Sequence, residues 1–157
     1  MVSTLNVYRR LESLGVVLPE PPVPVGSFDP HVWVGEFIFL SGQGPVRADG
    51  SMHQGRVAVD ISVAEARQHA RLVGINLLAV LHRATGDLNR IARFVRLLGF
   101  VHAGPDFQDH PKVIDGCSDF IADVFGEAGR HARSAVGMSS LPFGISVEIE
   151  GMVMVRP

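Results

Sequence analysis

The chain has 157 residues, 46% of them apolar and 19% charged, with a mean hydropathy of +0.24. That length predicts one domain spanning residues 1–157 with a continuous core, and the composition excludes a disordered chain. A net charge of −2 excludes a global field for nucleic acid or anionic membrane, and a single cysteine, Cys117, excludes an internal disulfide or a thiolate metal cluster.

The N-terminus is periodic and polar rather than a signal peptide, and no apolar run reaches the roughly 18–20 residues that span a bilayer, so the expectation is a cytoplasmic globular protein. Leu5, Tyr8, Leu11 and Leu14 recur at helical spacing after Ser3 or Thr4 and before Gly15, which predicts a short helix over 4–14 within an N-terminal extension of about 20 residues. Four prolines within 18–27 predict an extended loop. Residues 31–41 read as a strand pair turning at Gly35-Glu36, and Arg47-Ala48-Asp49-Gly50 as a second hairpin turn. Ser62-Val63-Ala64-Glu65 is a capping box; it opens a helix that runs to about Thr85 and stops at Gly86. Residues 91–102 predict a strand, and Asp109-His110-Pro111 opens a second main helix closed by Gly126. Residues 133–139 and 145–155 read as the arms of an antiparallel hairpin turning at Leu141–Gly144. The expected fold class is α+β, a mostly antiparallel sheet packed against two main helices, plus the short N-terminal one.

Few residues present themselves for chemistry. Seven histidines are scattered without zinc spacing, and His102, Asp106 and His110 read as solvated loop residues. Gly42-x-Gly44 lacks the third glycine and following helix of a phosphate loop, and Cys117 inside a helix reads as a small core side chain. Lys112 is the only lysine, so Schiff-base chemistry is nearly excluded while arginine recognition of carboxylates stays available. Val147-Glu148-Ile149-Glu150 alternates, placing both carboxylates on one strand face. Arg133 and these glutamates are open to two readings: solvent-facing strand residues, or an arginine fork for a small carboxylate with a glutamate that positions water.

The run Arg133-Ser-Ala-Val, then Leu141-Pro142, then Val147-Glu-Ile-Glu150 resembles the C-terminal signature of the Rid (YjgF-like) family of reactive intermediate deaminases. Phe39-Leu-Ser41-Gly42-Gln-Gly-Pro45 resembles a strand-end motif of that family, whose members are also labelled endoribonuclease L-PSP, and the longer N-terminal helix with the run Gly126-Glu-Ala-Gly-Arg-His-Ala-Arg133 resembles a longer subgroup of it. The resemblance implies a chorismate-mutase-like fold, a homotrimer with sites between subunits, and hydrolysis of small 2-imino or enamino acids to 2-keto acids and ammonia, without cofactor or metal. Carried over residue by residue, it implies that Arg133 grips the substrate carboxylate and Glu148 positions water. It further implies substrate contacts at Phe28, Ser41, Gly42, Ile114 and Ala135.

A hairpin turning at 140–144 would hold Arg133 and Glu148 roughly 10–13 Å apart in one chain, which points to a site shared across a subunit boundary. Phe28, Ile114 and Ala135 stand where the family archetype has tyrosine, asparagine and cysteine, which makes the pocket more apolar and leaves fewer groups to orient water. Two other readings stand beside the deaminase: a non-catalytic trimer that binds a small carboxylate, and an RNA-directed endoribonuclease or translation inhibitor. The charge balance argues against the last and against nucleic acid as a partner.

Overall fold

A computed structural model of the chain describes residues 6–157. In chain order the elements are α1 (Val7–Ser13), β1 (His31–Val34), β2 (Phe37–Gln43), α2 (Val63–Thr85), β3 (Ile91–His102), α3 (His110–Phe125), β4 (Ala132–Met138) and β5 (Val147–Val155). Short 3-10 turns precede β3, follow α3 and precede β5. No helix among the described residues is long and apolar enough to cross a membrane.

Local chemistry sets the element boundaries. The Ser62 side chain accepts from the Glu65 N–H and the Glu65 carboxylate accepts from the Ser62 N–H, closing the expected capping box at the start of α2. Gly86 ends that helix in a left-handed conformation (φ 72°) that only glycine adopts without cost. The start of α1 differs from expectation: Asn6, whose side chain accepts from the Tyr8 and Arg9 N–H groups, is the cap. Ser3 and Thr4 lie outside the described residues. Val7 and Leu11 of α1 enter the core, and the Tyr8 hydroxyl accepts from the Leu88 N–H, so this helix seals the C-terminal end of α2.

Five strands form one sheet in the order β1-β2-β5-β3-β4. Three neighbouring pairs are antiparallel, and β3 and β4 run parallel. The hairpin expected from 133–139 and 145–155 is therefore overturned. Both arms exist, but β4 crosses over through α3 to the outer edge of β3, and β5 inserts between β2 and β3. The physical reason is burial. Val147, Ile149, Val153 and Val155 are all buried, and a central strand satisfies its backbone on both sides as an edge strand cannot.

One sheet face lies under α2 and α3, where Ile38, Leu97, Val101, Ile149 and Val153 join Leu77, Leu78, Val113, Phe120 and Ile121 in the core. Cys117 is fully buried there, and burial pushes its thiol up to about 12, so it is a packing residue at neutral pH. The opposite face carries no helix among the described residues. In β2 the register advances from Leu40–Gly151 to Gln43–Ile149, so Ser41 and Gly42 together oppose a single residue and form a β-bulge.

Candidate functional site

The residues singled out from sequence separate into two places. Arg133 pairs in register with Leu97 and Glu148 with Phe100. Leu97 and Phe100 are an odd number of positions apart, so the two side chains leave opposite faces of the sheet. Two strand spacings and three residues of offset put them about 14 Å apart along the sheet alone. The hairpin geometry expected from sequence was incorrect, but the separation it implied is present and larger.

Arg133 points to the helix side. Its Nη1 donates to Asp115 Oδ1 (2.7 Å) and to Ser118 Oγ (3.1 Å), both on one face of α3. Its side chain keeps 20% exposure in a shallow depression of about 220 Å³ shared with Gly129, Arg130 and His131. Asp115 occupies only one guanidinium nitrogen. Among the described residues Nε and Nη2 have no hydrogen-bond partner, and together they form the side-on fork that accepts a carboxylate bidentately. Ser118 is tied in turn to His131, whose Nδ1 meets the Gly129 carbonyl, so the arginine's surroundings are fixed by a short polar relay. The sequence analysis gave neither Asp115 nor Ser118 a role. The signal available was Asp115 and Ser118 three apart, which places them on one helix face.

Glu148 lies in a second, larger cavity of about 630 Å³ with Phe28 and Gly42. Its carboxylate rests on the bulged backbone: a Cβ added to Gly42 would stand 2.7 Å from Oε1. Glu148 has no hydrogen-bond or ion-pair partner among the described residues. Burial, reinforced by the like charge of Glu150, raises its pKa above the usual carboxylate value. A carboxylate that is half-buried, unpaired and made more basic is suited to take a proton from water. Ser41 is occupied by structure, its hydroxyl donating to the Asp29 carbonyl (2.6 Å) and fixing the segment that carries Phe28.

Ile114 and Ala135 face the helix layer rather than either cavity. Ile114 is fully buried and fills the space above Gly99, where an added Cβ would stand 2.6 Å from it. Ala135 is in register with Gly99 and packs against the same core. Within one chain both have packing roles.

Three further residues build the larger cavity. Asn76, buried in α2, donates from Nδ2 to the Gly44 (3.1 Å) and Val46 (3.0 Å) carbonyls and pins the exit of β2. Phe143 overhangs the cavity with a left-handed backbone (φ 59°), rare for an aromatic residue, and Gln54 Nε2 donates to its carbonyl (2.5 Å). Arg47 lies on the wall as well. The sequence marked Arg47 only as part of a turn. Among the described residues no group of three or more histidine, cysteine or carboxylate side chains converges to hold a metal.

The family model described as "YjgF/chorismate mutase-like, putative endoribonuclease" matches residues 8–147. Protein TCP17 of Trypanosoma cruzi is 36% identical over 154 residues, covering 98% of this chain and 96% of that one. The solved structure of Atu1372 from Agrobacterium tumefaciens, a protein of unknown function, superposes with a TM-score of 0.89 at 41% identity, covering 96% of this chain and 92% of that one. A 2-iminobutanoate/2-iminopropanoate deaminase of Dermatophagoides farinae is 28% identical over 141 residues, covering 88% of this chain and 93% of that one.

Proposed function

Because this chain belongs to the YjgF/Rid family and has its chorismate-mutase-like fold, we propose that it hydrolyses 2-imino acids to 2-keto acids and ammonia at a site completed by two copies of the chain. The carrying observation is that Glu148, a basic unpaired carboxylate, and Arg133, a guanidinium with an open fork, stand on opposite faces of one sheet. A small imino acid reaches both only if they come from different copies. The bare sheet face supports assembly: Val32 (52% exposed), Val34 (56%), Phe39 (47%) and Val136 (38%) share it, an apolar area that a monomer would leave wet. A homotrimer, the assembly expected from the family resemblance, would cover it.

In the proposed reaction Nε and Nη2 of Arg133 hold the substrate carboxylate and fix the C=N carbon near Glu148. With the imine nitrogen protonated, Glu148 takes a proton from water as the oxygen bonds to that carbon and the C=N electron pair passes to nitrogen, giving a neutral carbinolamine. Glu148 returns this proton to the nitrogen; as the C–N bond breaks, the hydroxyl gives its proton to Glu148 and becomes the keto oxygen, and ammonia and the 2-keto acid leave. Phe28 supplies an apolar ring against the substrate side chain without a hydroxyl to compete for the water. The reading draws support from the deaminase among the relatives.

The test generates imino acids in situ with an amino-acid oxidase and traps them with semicarbazide. Wild type should suppress adduct formation, and Arg133→Ala should lose about a hundredfold in kcat/KM, the cost of a charge-assisted bidentate contact. Equal inertness of the two proteins would remove hydrolysis and leave carboxylate binding as the function.

A further inference from the structure

In one copy of the chain the cavity beside Glu148 is far larger than a four-carbon imino acid fills; at about 630 Å³ it falls in the range of sites for drug-sized ligands. Its walls are mainly apolar, with Val23, Phe28, Met52, Phe143 and Ile145 among them. Among the described residues the only guanidinium on these walls is that of Arg47.

Arg47 is held with unusual care for an exposed arginine. It lies in a hairpin closed by the Val46–Met52 bridge, where its N–H donates to the Ser51 carbonyl (2.8 Å) and its own carbonyl accepts from the Gly50 N–H (2.9 Å). Nη1 donates to Ser51 Oγ (3.0 Å) and Nη2 to His53 Nδ1 (2.8 Å). Burial, with Arg47 itself adding, lowers the His53 pKa, so this ring stays neutral at pH 7 and accepts the bond. The neighbouring carboxylate, Asp49, is taken up by Ser51, accepting from its N–H (2.9 Å) and its hydroxyl (2.6 Å). No carboxylate among the described residues forms an ion pair with Arg47. The result is a full positive charge, oriented by two neutral acceptors and held in no direct ion pair, although Asp49 feels its charge and Glu20 and Glu148 stand on the same walls. Both acceptors are neutral, so neither bond requires its donor to carry a charge.

We infer that this cavity takes an elongated acid whose far end carries a second carboxylate, bound by Arg47, with an apolar stretch between the two ends. The inference rests on the imino-acid site proposed above, which assigns the near carboxylate to Arg133. Arg47 is then a specificity residue, selecting among imino acids by what their side chains end in.

The test measures calorimetric binding of 2-keto dicarboxylates and length-matched 2-keto monocarboxylates of increasing length to the assembled protein. Wild type should bind at least one long dicarboxylate about tenfold or more tightly than its monocarboxylate partner. Arg47→Gln should bring that ratio to about one, and Arg47→Lys should retain much of it, with melting curves checking the fold of both. A wild-type ratio near one at every length overturns the inference, as does a preference that Arg47→Gln leaves intact. Arg133→Ala separates the two readings. Failure of that variant to weaken either series would contradict the near anchor, while an Arg47-dependent preference would still stand.

Discussion

At Gly42 the absence of a side chain leaves room for the Glu148 carboxylate, since a Cβ would stand 2.7 Å from Oε1. The obstructed atom is the far end of a flexible side chain, so Gly42→Ala should cost little stability yet displace the proposed base. The expected outcome is a melting temperature near wild type with kcat reduced at least about tenfold, as for a misplaced catalytic group; a fully active alanine variant would contradict the assignment. Glu148 also fixes the sign of a pH effect. Its raised pKa means the base form is lost at a higher pH than for an ordinary glutamate, so the acid limb of kcat should be displaced to higher pH than an ordinary glutamate would give. Removing the like charge with Glu150→Gln makes ionisation easier and should move that limb to lower pH. A limb unmoved by this change would assign the titration to another group.

At the scale of elements, α3 meets β3 through Ile114 seated over Gly99, a close approach that a β-carbon on the strand would prevent. Placing asparagine at 114, the residue type of the family archetype, would bury an amide in an apolar slot. Ile114→Asn should therefore lower stability by about 2–4 kcal/mol, read as a fall in melting temperature, and should not raise imine hydrolysis. The helices and strand segments were legible in sequence because their signals are local: a serine–glutamate box, a glycine stop, alternating apolar residues. The pairing of β4 was not. Its neighbour in sequence, β5, lies across β3 from it, and a crossover through α3 leaves no mark on the residues that separate β4 from β5. The same limit applied to the candidate site. Arg133 and Glu148 were visible through a family motif, whereas Arg47 gains its surroundings from Ser51 and His53 only once the hairpin closes.

At the scale of the whole molecule, the helices cover one sheet face while the other presents valine and phenylalanine to solvent, and the two halves of the proposed site lie on opposite sides of that sheet. A second copy would cover the bare face and bring an arginine to a glutamate, so assembly and activity should be inseparable. Mixing two inactive variants, Arg133→Ala and Glu148→Gln, tests this directly. In randomly mixed assemblies, a site built from two copies is intact when its arginine comes from the Glu148→Gln chain and its glutamate from the Arg133→Ala chain. The expected result is recovery of about a quarter of wild-type activity when equal amounts are refolded together. A mixture as inactive as either variant alone, with native mass spectrometry showing mixed assemblies, would contradict a site shared between copies.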